Sequence, residues 1–421
     1  MTAKPIMSER KVSIIGALLV AIGPISMALY TPAMTEMVHH FDSAESVVKL
    51  TLTLYFGGFA CAQLIAGPLS DALGRRPVTI GFMLLYCAAS ILATLSQSVE
   101  TLIFARFAQG VGASVGVAIS RALVRDLFTG EKSSRIMNLI GIILALGPAL
   151  SPTIGGLMLP VFGWRSIFVL MTVLGLIVIC VTIFSMKETV VRDTSRLNFR
   201  ALAGSYRMLL TNRRFLSASF VIGGALGAIY AQATFLPFIL MRDVGLSPSQ
   251  FGLSMLAQSG AFFTGSLLVR RLMTVYGSER IVLPGLLFIA TGSVGTATLL
   301  IWPPSFLHVM IPVAIYSFGI SFVMPTMSTA ALAPFGKMAG AAASLLGFIQ
   351  MGSGLVVGSI GALIGDALFA MGLLIPMMGA TACLCYGIYK RMPPYTPEPV
   401  APAVAAGAGR PSASAMAAPD R

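Results

Sequence analysis

GPLSDALGRR, Gly67 to Arg76, is a short polar turn between two long apolar runs, about 47–69 and 78–97. A helix needs roughly 20 mostly apolar residues to cross a bilayer core, and each run has that length. The ten residues therefore read as a tight connection between two membrane helices. Gly67 lets the end of the first helix lie against a neighbour, and Gly74 makes the turn. Arg75 and Arg76 hold the turn on the cytoplasmic side. Asp71 is expected to face a helix N-terminus and a basic residue across the interface between the two halves of the chain.

Working outward, ten further runs of the same kind give twelve predicted spans in all. The first half has 12–34, 47–69, 78–97, 101–124, 136–161 and 165–186; the second has 215–240, 250–271, 280–302, 306–331, 338–365 and 367–389. Charged residues make up 10% of the chain and apolar ones 56%, against roughly 25% charged in a soluble domain. All spans are expected to be helices, because lipid tolerates no open sheet edge. The fold class is an all-α integral membrane protein.

Residues 1–11 read as a cytoplasmic N-terminus, 12–186 as a six-helix bundle, 187–214 as a central cytoplasmic loop and 215–390 as a second six-helix bundle. The Pro/Ala-rich stretch 391–421 reads as a disordered cytoplasmic tail. Two six-helix halves about a polar loop is how many secondary transporters are built. The formal charge is +13, but the basic residues cluster between apolar runs, which argues against nucleic acid as a partner. With the N-terminus inside, only Lys49, Arg165 and Arg242 fall in outer loops and Arg106 inside a span, of 28 Lys and Arg. That asymmetry places the chain in a cytoplasmic membrane with both termini inside. Trp164 and Trp302 are expected at the outer interface. The five cysteines, all within spans, read as small packing residues, with no disulfide, metal site or cofactor expected.

The motifs carry a family resemblance. Gly-x-Leu-x-Asp-x-x-Gly-Arg-Arg in the 2–3 turn resembles the signature of the major facilitator superfamily. LIFARFAQGVGASVGVAISRALVRDLF, Leu102 to Phe128, resembles its fourth-helix motif at Arg106, Gln109, Gly110 and Gly112. Arg121, Arg125 and Asp126 close that helix at the cytoplasmic face, as structural residues or as partners of Asp71. LGPALSPTIGG resembles the antiporter motif of drug/proton exporters. Its Gly147, Pro148 and Pro152 are expected to interrupt helical hydrogen bonding, and Gly155 and Gly156 to allow close packing. GPISMALYTPAM in the first span, Gln63-Leu64, RALVRDLF and AGAAASLLGFIQ narrow the resemblance to Bcr/CflA-like multidrug efflux transporters, over about residues 12–390. Gly265-Ser-Leu-Leu-Val-Arg-Arg, followed by Gly277, is a weak echo of the signature in the predicted 8–9 loop.

The resemblance implies a major facilitator fold of two pseudo-symmetric halves and export of small amphipathic compounds by alternating access, driven by protons. It also has a departure. The subfamily carries an Asp in the first span where this chain has Ala28, and all fifteen Asp and Glu fall in loops, span ends or tails. A membrane carboxylate is the usual proton carrier. Three readings follow: a displaced carrier such as Glu36, His39 or His40; Arg106 pairing with an anionic substrate; or a facilitator or importer of a small anionic metabolite without proton coupling. An intramembrane enzyme would need clustered carboxylates, His or Cys at a bilayer face, and no such cluster appears. A non-transporting sensor with the same fold is the other alternative. Candidate substrate or coupling residues are the polar and aromatic ones inside spans: Tyr30, Tyr55, Gln63, Arg106, Gln109, Tyr230, Gln232, Phe235 and Tyr316. An Arg inside a span is a functional candidate by default, because its burial is costly.

Overall fold

The computed structural model describes residues 6–193 and 199–393; readings made above for 1–5, 194–198 and the tail from 394 lie outside the described residues. Among those described, the ordered structure is helical throughout. Eleven helices are long and apolar enough to cross a membrane: α1 Glu9–His40, α2 Glu45–Leu73, α3 Arg75–Thr94, α4 Val99–Leu127, α6 Arg165–Ser185, α7 Arg213–Asp243, α8 Pro248–Tyr276, α9 Val282–Leu300, α10 Phe306–Gly336, α11 Ala339–Ile364 and α12 Ala367–Lys390. The twelfth, α5 Gly130–Phe162, has 33 residues, about 50 Å of helix at 1.5 Å per residue. A linker helix, Phe199–Thr211, separates the two sets of six. An even number of crossings brings the N-terminus, the linker and the end of α12 to one side, called here the linker face.

Prolines shape the helices by freeing carbonyls, and the chain re-satisfies them. Pro32 cannot donate to Ala28; the Thr31 hydroxyl does so instead, at 2.9 Å, as α1 passes through the one-turn segment Thr31–Ala33. Pro68 likewise frees the Leu64 carbonyl of α2, and the Tyr206 hydroxyl of the linker helix donates to it at 2.6 Å. Burial pushes the Tyr206 phenol above its ordinary value, so it stays protonated and remains a donor. Tyr206→Phe is expected to lower stability by about 1 kcal/mol and to speed proteolysis of the linker, read by limited digestion.

Glycines set close helix crossings. A Cβ on Gly58 of α2 would overlap the Phe107 carbonyl of α4, and one on Gly110 of α4 would overlap the Tyr55 carbonyl of α2. The two backbones touch, as small residues permit in membrane helices.

The halves meet along two seams. In the first, α2 lies along α11: Thr53 packs on Gly358, Gln63 on Gly347 and Ser344 on Gly67. In the second, α5 crosses α8, where the Thr153 hydroxyl donates to Gly252 O at 2.8 Å and the Ser249 hydroxyl to Gly156 O at 3.1 Å. The face opposite the linker is also pinned by ions. Glu45 of α2 pairs with Arg242 of α7, and Lys49 Nζ donates to Gly365 O at 2.6 Å. α4 packs chiefly on α1, α2 and α3, and α10 on α7, α8 and α9.

The structure corrects several local expectations. α5 runs unbroken through Pro148 and Pro152, since a membrane helix tolerates a lost donor. Gly265–Arg271 is not a loop but part of α8, and the turn comes at Gly277, whose φ of +80° is the counterpart of +103° at Gly74. Lys49 is not in a loop: it sits in the first turns of α2, fully buried. Trp164 is buried against His40, Phe41 and Phe168 rather than anchoring an interface, whereas Trp302 is exposed. Cys61 and Cys180 are exposed on the protein surface, not packed inside.

Candidate functional site

The signature turn is a latch within the first half. The positive φ of Gly74 reverses the chain, and α3 starts at Arg75 with its first amides unpaired, as at any helix N-terminus. Glu188, just past α6, fills them: Oε1 accepts from Arg75 N at 2.8 Å and Oε2 from Arg76 N at 3.0 Å. The Arg75 guanidinium, 3% exposed, is shared by Asp71, by Asp126 at 3.2 Å and by the Ser70 hydroxyl at 2.6 Å. Arg76 donates to Ile183 O at 2.7 Å. Asp71 therefore meets a cation of its own motif, not one across the halves, because the turn folds Arg75 back within reach. Arg125 lies 4.0 Å from Asp126 and is exposed. Asp126→Asn is expected to leave one arm of Arg75 unpaired in a buried site and to cost about 1.5–3 kcal/mol, measured by thermal unfolding in detergent.

Arg106 stands at the core of the first half, with no exposed surface. Its guanidinium carbon lies 4.5 Å from the centre of the Tyr30 ring, 4.4 Å from Tyr55 and 6.0 Å from Phe168. One nitrogen donates to Gln109 Oε1, another to Ser26 O at 3.2 Å, and Nε has no partner. The rings are themselves held: Tyr30 to the Thr51 hydroxyl at 2.6 Å and Tyr55 to Gly23 O at 2.9 Å. Gln109 donates on to Ser90 at 2.7 Å, and Tyr86 shares a hydrogen bond of 2.6 Å with Ser26. Ring faces attract a cation by about 0.5–2 kcal/mol each, which keeps the charge tolerable where the chain offers no carboxylate. Ala28, on α1 next to this cluster, is itself buried.

The other candidates separate. Tyr230 packs on Phe56 across the seam, ring centres 4.9 Å apart. Gln63 lies on the same seam against Gly347, its Oε1 buried without a donor. Gln232 of α7 accepts from Gln258 of α8 at 2.7 Å, and its own Nε2 is buried and unpaired. Phe235 packs on Gly361, and Tyr316 donates to Gly224 O at 3.5 Å, both inside the second half. Gly155 and Gly156 bring α5 against Leu29 of α1 and Pro248 of α8, and Gly147 sits beside Ile25. Glu36 is partly exposed; His39 and His40 are exposed near the Arg165 end of α6. Sequence reasoning missed Gln258, Phe56, Ser26, Tyr86 and Ser90. A lone Ser, Phe or Gln in a span carries no signal until its neighbour is known. Among the described residues no group of three metal-ligating side chains forms.

Twelve helices in two halves that share two seams, pinned by ions at the face opposite the linker, define a membrane carrier of the two-bundle kind. The chain belongs to the Major Facilitator Superfamily, which matches residues 16–362. It is 29% identical over 381 residues to Multidrug resistance protein D of Escherichia coli (strain K12), covering 88% of this chain and 93% of that one. It is 26% identical over 346 residues to the Bicyclomycin resistance protein homolog of Haemophilus influenzae, covering 80% and 85%. Its fold is similar to the xylose transporter XylE from E. coli in a partially occluded inward open conformation, with TM-score 0.70 at 12% identity over 91% of this chain and 98% of that one. The resemblance to Bcr/CflA-like drug-efflux transporters read from the motifs is borne out by these relatives.

Proposed function

We propose that the protein exports drugs or other small amphipathic compounds across the bacterial inner membrane by alternating access, coupled to protons. The observation that carries this reading is the asymmetry of the seam. Glu45–Arg242 and Lys49–Gly365 join the halves by charge at one face, while α4 and α10 pack chiefly within their own halves. A carrier rocking about a central site needs such a pair of alternately closed ends. The basic linker, with Arg200, Arg207, Arg213 and Arg214, supports the linker face as the cytoplasmic one. In this orientation the ionic pins lie on the outer side, so release of them would open the exit that an exporter needs. The relatives named for multidrug and bicyclomycin resistance support the direction and the substrate class.

A second reading, transport without proton coupling, is favoured by one observation: every carboxylate lies near a helix end or outside the spans, and Arg106 has aromatic rather than acidic partners. The experiment that separates the two is efflux from proteoliposomes with and without an imposed pH gradient, on a compound chosen by a susceptibility panel of expressing and non-expressing cells. A gradient that changes the rate supports antiport; an indifferent rate leaves the facilitator. Ala28→Asp, which puts a carboxylate beside the Arg106 cluster, is expected to steepen the dependence on that gradient. An unchanged dependence would remove position 28 from the coupling account.

A further inference from the structure

We propose that Arg121 is the anion-receiving group of the central cavity, so that the compounds this carrier handles best bear a negative charge. The proposal deepens the exporter reading and rests on it for the direction of transport only.

Arg121 lies six residues before Leu127, the linker-face end of α4, hence about 9 Å in from that end. Its side chain is exposed. A charged side chain inside a span faces a water-filled cavity or the bundle interior, not lipid. Val117 and Ala118, one turn earlier, are partly accessible as well, while Ile119, Ser120 and Leu123 are buried in the bundle. The wall thus offers a guanidinium beside apolar surface.

Arg121 makes no hydrogen bond and no ion pair among the described residues. The carboxylates that could reach it are engaged elsewhere. Asp71 and Asp126 hold Arg75, and Glu188 caps α3. Glu9 pairs with Lys132, Glu131 with Arg135 and Glu279 with Lys390. Rocking of the halves does not supply an acid either. Helices α8, α10 and α11 contain no Asp or Glu, and the single acid of α7, Asp243, lies at the far end. A guanidinium inside a span is costly unless water or a counter-charge attends it, and among the described residues no free carboxylate supplies one. Arg106 is the contrasting case: also without an acid, but sealed among rings. Arg121 presents a planar fork of donors suited to a carboxylate, sulfonate or phosphate oxygen pair.

The test is binding by the full-length protein in lipid nanodiscs, read by fluorescence anisotropy. The probes are N-dansyl-phenylalanine, an amphipathic acid, and its uncharged methyl ester. The acid is expected to bind wild type about tenfold more tightly than the ester, the size of one charge-assisted contact. Arg121→Gln is expected to abolish that preference while leaving ester affinity within about twofold, and Arg121→Lys, which keeps the charge, to retain most of it. Equal binding of acid and ester to wild type would overturn the proposal. So would no binding of the acid, or a parallel loss of both probes in Arg121→Gln with no rescue by Arg121→Lys. Binding needs no gradient and no flux, so a failure of the exporter reading in the efflux assay is distinguishable from a failure here.

Discussion

Gly110→Val is expected to leave almost no folded protein. The close approach of α2 and α4 is backbone against backbone: a side chain at Gly110 meets the Tyr55 carbonyl, and one at Gly58 meets the Phe107 carbonyl. Neither oxygen can rotate away, because each belongs to a continuous helix. Overpacking by a few methyl groups costs about 1–3 kcal/mol where side chains yield, so a clash with fixed backbone exceeds that range. The same crossing also places the Tyr55 ring over Arg106, so forcing the helices apart opens the buried cluster too. Fluorescence-detected size exclusion reads the outcome as loss of the monodisperse peak. Gly81→Val is the control: nothing lies within 4 Å of a Cβ there, and its peak is expected to match wild type. A normal peak for Gly110→Val would mean that the crossing is looser than described.

Arg106→Ala is the second large effect, expected to destabilise the first half by about 3–5 kcal/mol. Two costs add. Truncating a large buried side chain leaves a cavity, worth about 2–5 kcal/mol. The Ser26 carbonyl and the Gln109 amide oxygen lose their donor, at about 1–3 kcal/mol for a buried polar group left unmade. One gain opposes them, since an incompletely paired charge no longer has to be held away from water. Arg106→Met separates the terms, because it fills the volume and removes only the charge and its hydrogen bonds. It is expected to fall between wild type and Arg106→Ala in thermal stability. Substrate affinity of Arg106→Met is expected to change by less than about threefold, since the guanidinium is walled off in this state. A large loss of affinity at near-normal stability would return Arg106 to the role of a direct ligand.

The spans were legible because lipid imposes one rule on every crossing, and hydropathy reports it residue by residue. The Gly74 turn was legible because φ of +103° needs glycine. Partnerships were less so. That Asp71 closes on Arg75 depends on how the turn folds, which no spacing states. Arg106 stands out in any reading of α4 as a charge among apolar residues, but its cage comes from α1, α2 and α6, three separate stretches of chain. The candidate pocket read as one set of polar and aromatic residues divides into a core cluster, a seam and the Gln232–Gln258 pair, because periodicity says which face is buried and not against what. Lys49 shows the reverse error. Two residues from a predicted span boundary it reads as an outer-loop residue, yet the ring of Phe238 at 5.0 Å and the Gly365 carbonyl lie against it.

The central claim, that transport requires the face opposite the linker to part, is tested most directly by tying that face shut. With the five native cysteines replaced, Glu45→Cys and Arg242→Cys would be introduced together and bridged by a bis-methanethiosulfonate reagent, whose spacer replaces the reach of the two long side chains that touch. The cross-link is expected to hold the halves together and stop efflux of the panel compound from proteoliposomes, and reduction, which releases the reagent, to restore it. Undiminished transport by fully cross-linked protein would contradict alternating access through this face.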